Sequence, residues 1–209
     1  MLKGYDPRKE PRSFLLTLKS ISHIPIKDVD GENKPPVQGA KYSFEYYVTL
    51  FNREIGGNGS FYGRTYRSKG LPLREVGGTW EVPQEEYIYF HTNYTEKTSF
   101  AVIEGVIVKE IGGLKAYGSV GYTLCHLFEF SGLTTVEMIK GSPRAIGLFG
   151  VDVVQAKLSK SLTKLAFECR DFPTFDKMKM LIPQNCFCGL GDIIPGLVNE
   201  ALPSPRTGP

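Results

Sequence analysis

Turn-forming residues punctuate this chain about every ten positions, and the stretches between them are rich in Val, Ile, Thr, Phe and Tyr. That rhythm leaves little room for long helices and predicts an all-β fold. Phe14, Leu16 and Leu18 alternate with Leu15, Thr17 and Lys19, and Tyr42, Phe44, Tyr46, Val48 and Leu50 repeat the pattern. Period-two patterning is what a strand with one buried face requires. Further strands are expected over 60–67, 86–92, 99–110, 116–128, 135–140, 144–149 and 165–170. The stretch 99–110 is apolar in both phases, as a strand covered on both faces would be. Only 151–162 has the pattern of a moderate helix, which would bring Lys157, Lys160 and Lys164 near one face. The expectation is one antiparallel β-sandwich of about eight strands over 13–197, ending in an irregular strap. Segments 1–12 and 198–209, rich in Pro, Gly and charge, read as flexible ends.

With 209 residues the chain can bury an apolar core without a disulfide or metal staple. Twenty-five Lys and Arg against 22 Asp and Glu leave a dispersed formal charge of +3. Nucleic-acid binding needs a concentrated basic face, so that class is set aside. Cys125, Cys169, Cys186 and Cys188 lack the spacing of a disulfide framework. The opening residues lack the apolar stretch of a signal peptide, and the run near Phe100–Val108 is interrupted by Glu104. These features predict a reducing, cytoplasmic setting.

The order of several motifs carries a family resemblance. Phe14-Leu-Leu-Thr-Leu-Lys-Ser-Ile, the loop Ile26-Lys-Asp-Val-Asp-Gly and Tyr46-Tyr-Val-Thr-Leu look like the opening of a C2 domain. Phe61-Tyr-Gly-Arg-Thr-Tyr followed by Tyr87-Ile-Tyr-Phe-His-Thr resembles paired motifs in the N-terminal region of the nephrocystin-4 family. Phe100-Ala-Val-Ile-Glu-Gly-Val, Gly118-Ser-Val-Gly-Tyr, Lys140-Gly-Ser-Pro-Arg-Ala, Leu181-Ile-Pro-Gln-Asn and Ile194-Pro-Gly-Leu continue the likeness in the same order. The resemblance implies a C2-type sandwich in a non-catalytic scaffold at the cilium base, the transition zone and basal body. It implies other nephrocystins and a retinitis-pigmentosa-associated interactor as partners. Family chains are much longer, so the resemblance covers their N-terminal part only.

Each chemistry the residues offer is weighed against the plain solvated-surface reading. Calcium in a C2 fold needs several carboxylates converging from two loops. Asp28, Asp30 and Glu32 supply one loop, but Lys109 and Lys115 flank Glu110 in the other, which predicts a calcium-independent module. Cys186-Phe-Cys188 has no second pair at zinc spacing. Cys125 and Cys169 read as small core residues, and neither a metal nor a cofactor is expected. The histidines His23, His91 and His126 meet no nucleophile elbow, P-loop or zinc motif, so an enzyme is not expected. Protein-interaction candidates remain: Arg64 among aromatic strand residues, His91 at a strand end, and the rigid Pro143-Arg144 turn. The apolar tail adds Leu190, Ile194 and Leu197. The alternative function is membrane targeting, with Lys157, Lys160 and Lys164 meeting anionic phospholipid head groups.

Overall fold

The computed structural model describes residues 9–30, 34–54, 59–128, 132–194 and 202–206. Among them the chain forms twelve strands: β1 (Arg12–Pro25), β2 (Lys41–Asn52), β3 (Ser60–Arg67), β4 (Leu71–Pro72), β5 (Arg74–Val76), β6 (Thr79–Val82), β7 (Glu86–Thr92), β8 (Ser99–Ile111), β9 (Leu114–His126), β10 (Thr134–Ile139), β11 (Lys160–Asp171) and β12 (Cys188–Gly189). Helices α1 (Arg144–Phe149) and α2 (Val151–Lys157) precede β11, and a 3-10 helix over Pro173–Leu181 follows it. The sheet runs β12-β7-β1-β11-β10-β9-β8-β2-β3, with β6 beside the second half of β1, β5 on β6, and β4 on β2. The fold is all-β, and every strand pairing in it is antiparallel.

This sheet bends at one seam. Strands β8 and β9 pair along their length, but β9 and β10 meet only at Tyr122 and Ile139. Gly121 sits at that seam with φ 140°, where a Cβ would overlap the Ile139 carbonyl oxygen. Only glycine lets the two main chains approach so closely. On either side of the bend the two halves face each other in a sandwich-like arrangement. Phe14, Leu16 and Leu18 from β1 and Phe44, Val48 and Ile103 from β2 and β8 share one buried cluster. Tyr42 and Trp80 meet across it, ring centroids 5.4 Å apart.

The outer faces are covered separately. Ile146, Val151 and Val154 of the helices pack on Phe100, Val102, Tyr122 and Leu124. Strand β8 is thereby buried on both sides, as its unbroken apolar run requires. Phe172, Phe175, Ile182 and Leu202 cover Leu15 and Tyr89 on the other half. Residues 202–206, within the stretch read as a tail, lie against the sheet: Tyr89 Oη donates to the Pro203 carbonyl at 2.7 Å, and Arg170 to that of Pro205 at 2.7 Å.

Three expectations are corrected. Twelve strands replace about eight, because β4, β5, β6 and β12 have two to four residues each and are too short for a hydrophobic period to show. The stretch 144–149 is helical, not extended. Pro143 has helical φ and ψ, the Ser142 hydroxyl accepts from the Arg144 N–H at 3.2 Å, and burial of Ile146 holds the turn in place. The helix expected over 151–162 stops at Lys157, where Leu158 turns extended. From Lys160 the chain is strand, with Ser161, Thr163, Leu165, Phe167 and Cys169 inward.

Candidate protein-interaction surface

The strap that follows the 3-10 helix closes the open side of the sandwich. β12 adds to β7, with Cys188 opposite Tyr89 and Gly189 opposite Ile88. Two residues earlier, Cys186 forms a parallel bridge with Arg64 on β3, and the Arg64 N–H donates to the Asn185 carbonyl at 3.3 Å. The strap therefore links β7 to β3, at opposite ends of the sheet's longer strands. Gly63 makes this crossing possible: its φ is +73°, and a Cβ there would overlap the Asn185 carbonyl oxygen. Beneath the strap the Tyr66 hydroxyl donates to the Glu86 carboxylate, a second tie between β3 and β7. Burial holds the Glu86 carboxyl above its usual range and pushes the Cys188 thiol up to about 12. A thiol so protonated is a packing group, not a nucleophile.

Between strap and β3 lies a groove of about 440 Å³, lined by Arg64, Tyr66, Leu181, Pro183, Ile193 and Ile194 among others. Its apolar wall is open to water: Ile193 is 89% exposed, and Leu181 is nearly half exposed. Arg64 is exposed and makes no ion pair with any described residue, whereas Arg67 beside it is locked on Glu45 at 2.7 Å. Of the residues singled out in the sequence, the groove brings together Arg64 and Ile194, whereas Leu190 is nearly half exposed on the strap outside its lining. Leu197 lies outside the described residues. His91 is buried behind the strap, its Nε2 2.7 Å from the Ile182 carbonyl, and burial lowers its pKa. It supports the strap from inside and presents nothing to a partner. Pro143 and Arg144 sit at the start of α1, on a different element from the groove. Leu181, Ile193 and Gly63 were not singled out from the sequence. A glycine inside the aromatic strand pattern Tyr62-Gly63-Arg64 was the available signal, since it marks a close main-chain approach.

At the other loop, Lys109 lies between the two carboxylates that a bound cation would need. Its Nζ lies 3.0 Å from Asp28 Oδ2 and also contacts Asp30. Asp28 is buried and further accepts from the Val29 N–H at 2.8 Å and the Tyr42 hydroxyl at 3.0 Å. Burial pulls the Asp28 carboxyl upward, yet the hydrogen bonds from Lys109, Tyr42 and Val29 outweigh it and hold it below the usual range. Hydrogen bonds to Asp30 and Asp28 raise the Lys109 pKa in turn. Glu32 lies outside the described residues.

A prediction follows with its sign. A carboxyl whose pKa is lowered by folding adds stability above its unfolded value near 3.9, and that stability is lost as pH falls through the folded value. Lys109→Met should therefore lower the melting temperature at pH 7, with the gap to wild type narrowing below about pH 4. Millimolar calcium should leave the wild-type melting temperature unchanged, since only a ligand of the native state raises it. A calcium-dependent rise that Asp28→Asn abolishes would mean that the metal displaces Lys109.

The three lysines do not share a helix face. Lys157 ends α2, while Lys160 and Lys164 point outward from β11 on either side of Leu162, which is 83% exposed. Lys160 lies 3.3 Å from Glu137, and both β11 lysines line a cleft of about 610 Å³ with Thr123, Thr135 and Gln155. Cys125 and Cys169 are buried in the main core, and burial raises both thiols. No helix among the described residues is long and apolar enough to cross a membrane. No family model matches this chain, and no curated protein matches it.

Proposed function

We propose that this chain is a non-catalytic protein-interaction module: a calcium-independent C2-like sandwich whose strap groove is the contact surface. The observation that carries the reading is the exposed apolar wall of Ile193 and Leu181 beside an Arg64 that pairs with no described carboxylate. Contiguous exposed apolar groups ringed by polar ones mark binding surfaces. The Lys109 pair with Asp28 and Asp30 favours calcium independence, because an ammonium group already supplies the counter-charge. Motif order extends the proposal to a scaffold of the nephrocystin-4 kind at the transition zone and basal body. Co-precipitation of the purified chain with purified nephrocystins and the retinitis-pigmentosa-associated interactor tests it. Binding that Ile193→Asp abolishes supports the reading, and no binding to any of them removes the ciliary assignment.

A second reading has one observation in its favour, the outward row Lys160, Leu162 and Lys164. An apolar side chain between two ammonium groups suits an anionic bilayer, each lysine near the surface adding about 1 kcal/mol. Calcium-free sedimentation with phosphatidylserine vesicles separates the two. Pelleting that Lys160→Glu with Lys164→Glu abolishes favours the membrane.

A further inference from the structure

Strand β3 ends the sheet, and among the described residues its outer edge is bridged by the strap where Arg64 meets Cys186. On its inner side the Ser68 N–H donates to the Tyr46 carbonyl at 3.0 Å. Antiparallel pairs alternate between bonded and non-bonded positions. With Tyr47 opposite Arg67, that alternation turns the Arg67 amide group away from β2, toward the free edge. The groove floor along this edge is apolar, with Ile182 and Phe187 buried at its base and Ile193 rising as an exposed wall.

Charge at the rim is uneven. Arg64 and Lys69 are exposed, and neither makes an ion pair with a described residue. Lys69 Nζ reaches over the strap beside Gly191. Of the two carboxylates nearby, Asp192 accepts from the Gly189 N–H at 2.7 Å, and Glu86 is half-buried under the Tyr66 hydroxyl. Two cations therefore face outward, and the carboxylates are turned to internal donors. An open strand edge, an apolar wall and a guanidinium unpaired among the described residues together suit an extended acidic segment. Main-chain bonds supply adhesion in that mode, and alternate side chains supply selection.

Building on the protein-interaction reading, we infer that the groove takes an extended peptide strand of alternating acidic and apolar residues, added to the outer edge of β3. Its apolar side chains lie against Ile193, Leu181 and Pro183, and its carboxylates meet Arg64 and Lys69. A guanidinium binds a carboxylate through two parallel bonds, so Arg64 sets the register and Lys69 adds a point charge.

Fluorescence anisotropy with a labelled eight-residue peptide of alternating Glu and Val tests this on the full chain. A peptide of alternating Lys and Val is the charge control, and an N-methylated Glu-Val peptide is the main-chain control. The expected result is saturable binding of the acidic peptide, weakened at least tenfold by Arg64→Glu and lost on N-methylation, with no binding of the basic peptide. Lys164→Glu, on β11 away from the groove, should leave it unchanged. Equal binding of acidic and basic peptides, no binding of either, or indifference to Arg64→Glu would each overturn the inference. Thermal unfolding of Arg64→Glu, expected within about 1 °C of wild type, shows that a loss is not unfolding. The scaffold proposal is read separately: nephrocystin binding that survives Arg64→Glu leaves it standing with the peptide mode refuted. Peptide capture without nephrocystin binding leaves the groove assignment standing and refutes the ciliary one.

Discussion

Replacing Phe175 by alanine is expected to cost about 3–5 kcal/mol and to loosen the strap along with the 3-10 helix. Phe175 is fully buried, stacked on Tyr89 with centroids 5.5 Å apart, and shares a cluster with Phe172, Ile182 and Cys188. That cluster is small, with few neighbours able to close a cavity, so the cost is that of an uncollapsed aromatic truncation. For a chain of this size the melting temperature should fall by roughly 6–20 °C. Met180, on the same helix but 93% exposed, is the internal control, and Met180→Ala should stay within about 0.5 kcal/mol. Hydrogen exchange at Ile88 and Tyr89, the β7 residues opposite β12, should rise in the Phe175 variant more than exchange at β8. Uniform loss of protection would instead place this cluster within one cooperative unit with the main core.

Legibility of this chain follows the length of its elements. Strands β1, β2, β8 and β9 are long and their apolar content is plain in the sequence, but the alternation in β1 understates its burial. Leu15 and Thr17, expected on an open face, are buried like Leu16 because the 3-10 helix and the strap cover that side. β11 is equally long, yet its first inward positions are Ser161 and Thr163, and Leu162 faces water. Those residues invert the usual hydrophobic alternation, and a helical reading could run through them. Thr163 is satisfied inside by the Ser161 hydroxyl at 3.0 Å and the His23 carbonyl at 3.2 Å. A polar pair can occupy core positions when its hydrogen bonds are made there, and no sequence period reports that.

The candidate site divides in the same way. Arg64, Leu190 and Ile194 stand out because charge among aromatics and apolar residues in an irregular tail are local anomalies. The meeting of Arg64 with Ile194 depends on long-range main-chain crossings, from β12 to β7 and from Cys186 to Arg64, which leave no local pattern. His91 shows the opposite failure: a polar residue at a strand end looks accessible until the strap is laid over it. The sequence sets Lys109 against the loop of Asp28 and Asp30, and the structure adds the ion pairs with both carboxylates that spacing alone does not supply.

Gly63→Ala is expected to undo the crossing that builds the groove. Two costs combine there. A φ of +73° is strained for an L side chain, a cost of order 1–3 kcal/mol. The new methyl group also overlaps the Asn185 carbonyl, which is main chain and has to retreat with the strap. Gly77→Ala separates these costs: Gly77 has φ +55° in the β5–β6 turn and open space around it, so that variant carries strain alone. If the overlap matters, Gly63→Ala should be the more destabilising of the two and should expose the Arg64 amide to exchange. It should also speed proteolytic cutting between Pro183 and Leu190, and acidic-peptide binding should fall with the groove. Equal costs for the two variants, with the Arg64 amide still protected, would show that the strap yields to a methyl group without leaving β3. The groove would then be a pliable surface, and its specificity would rest on Arg64 and Lys69 more than on the shape of the crossing.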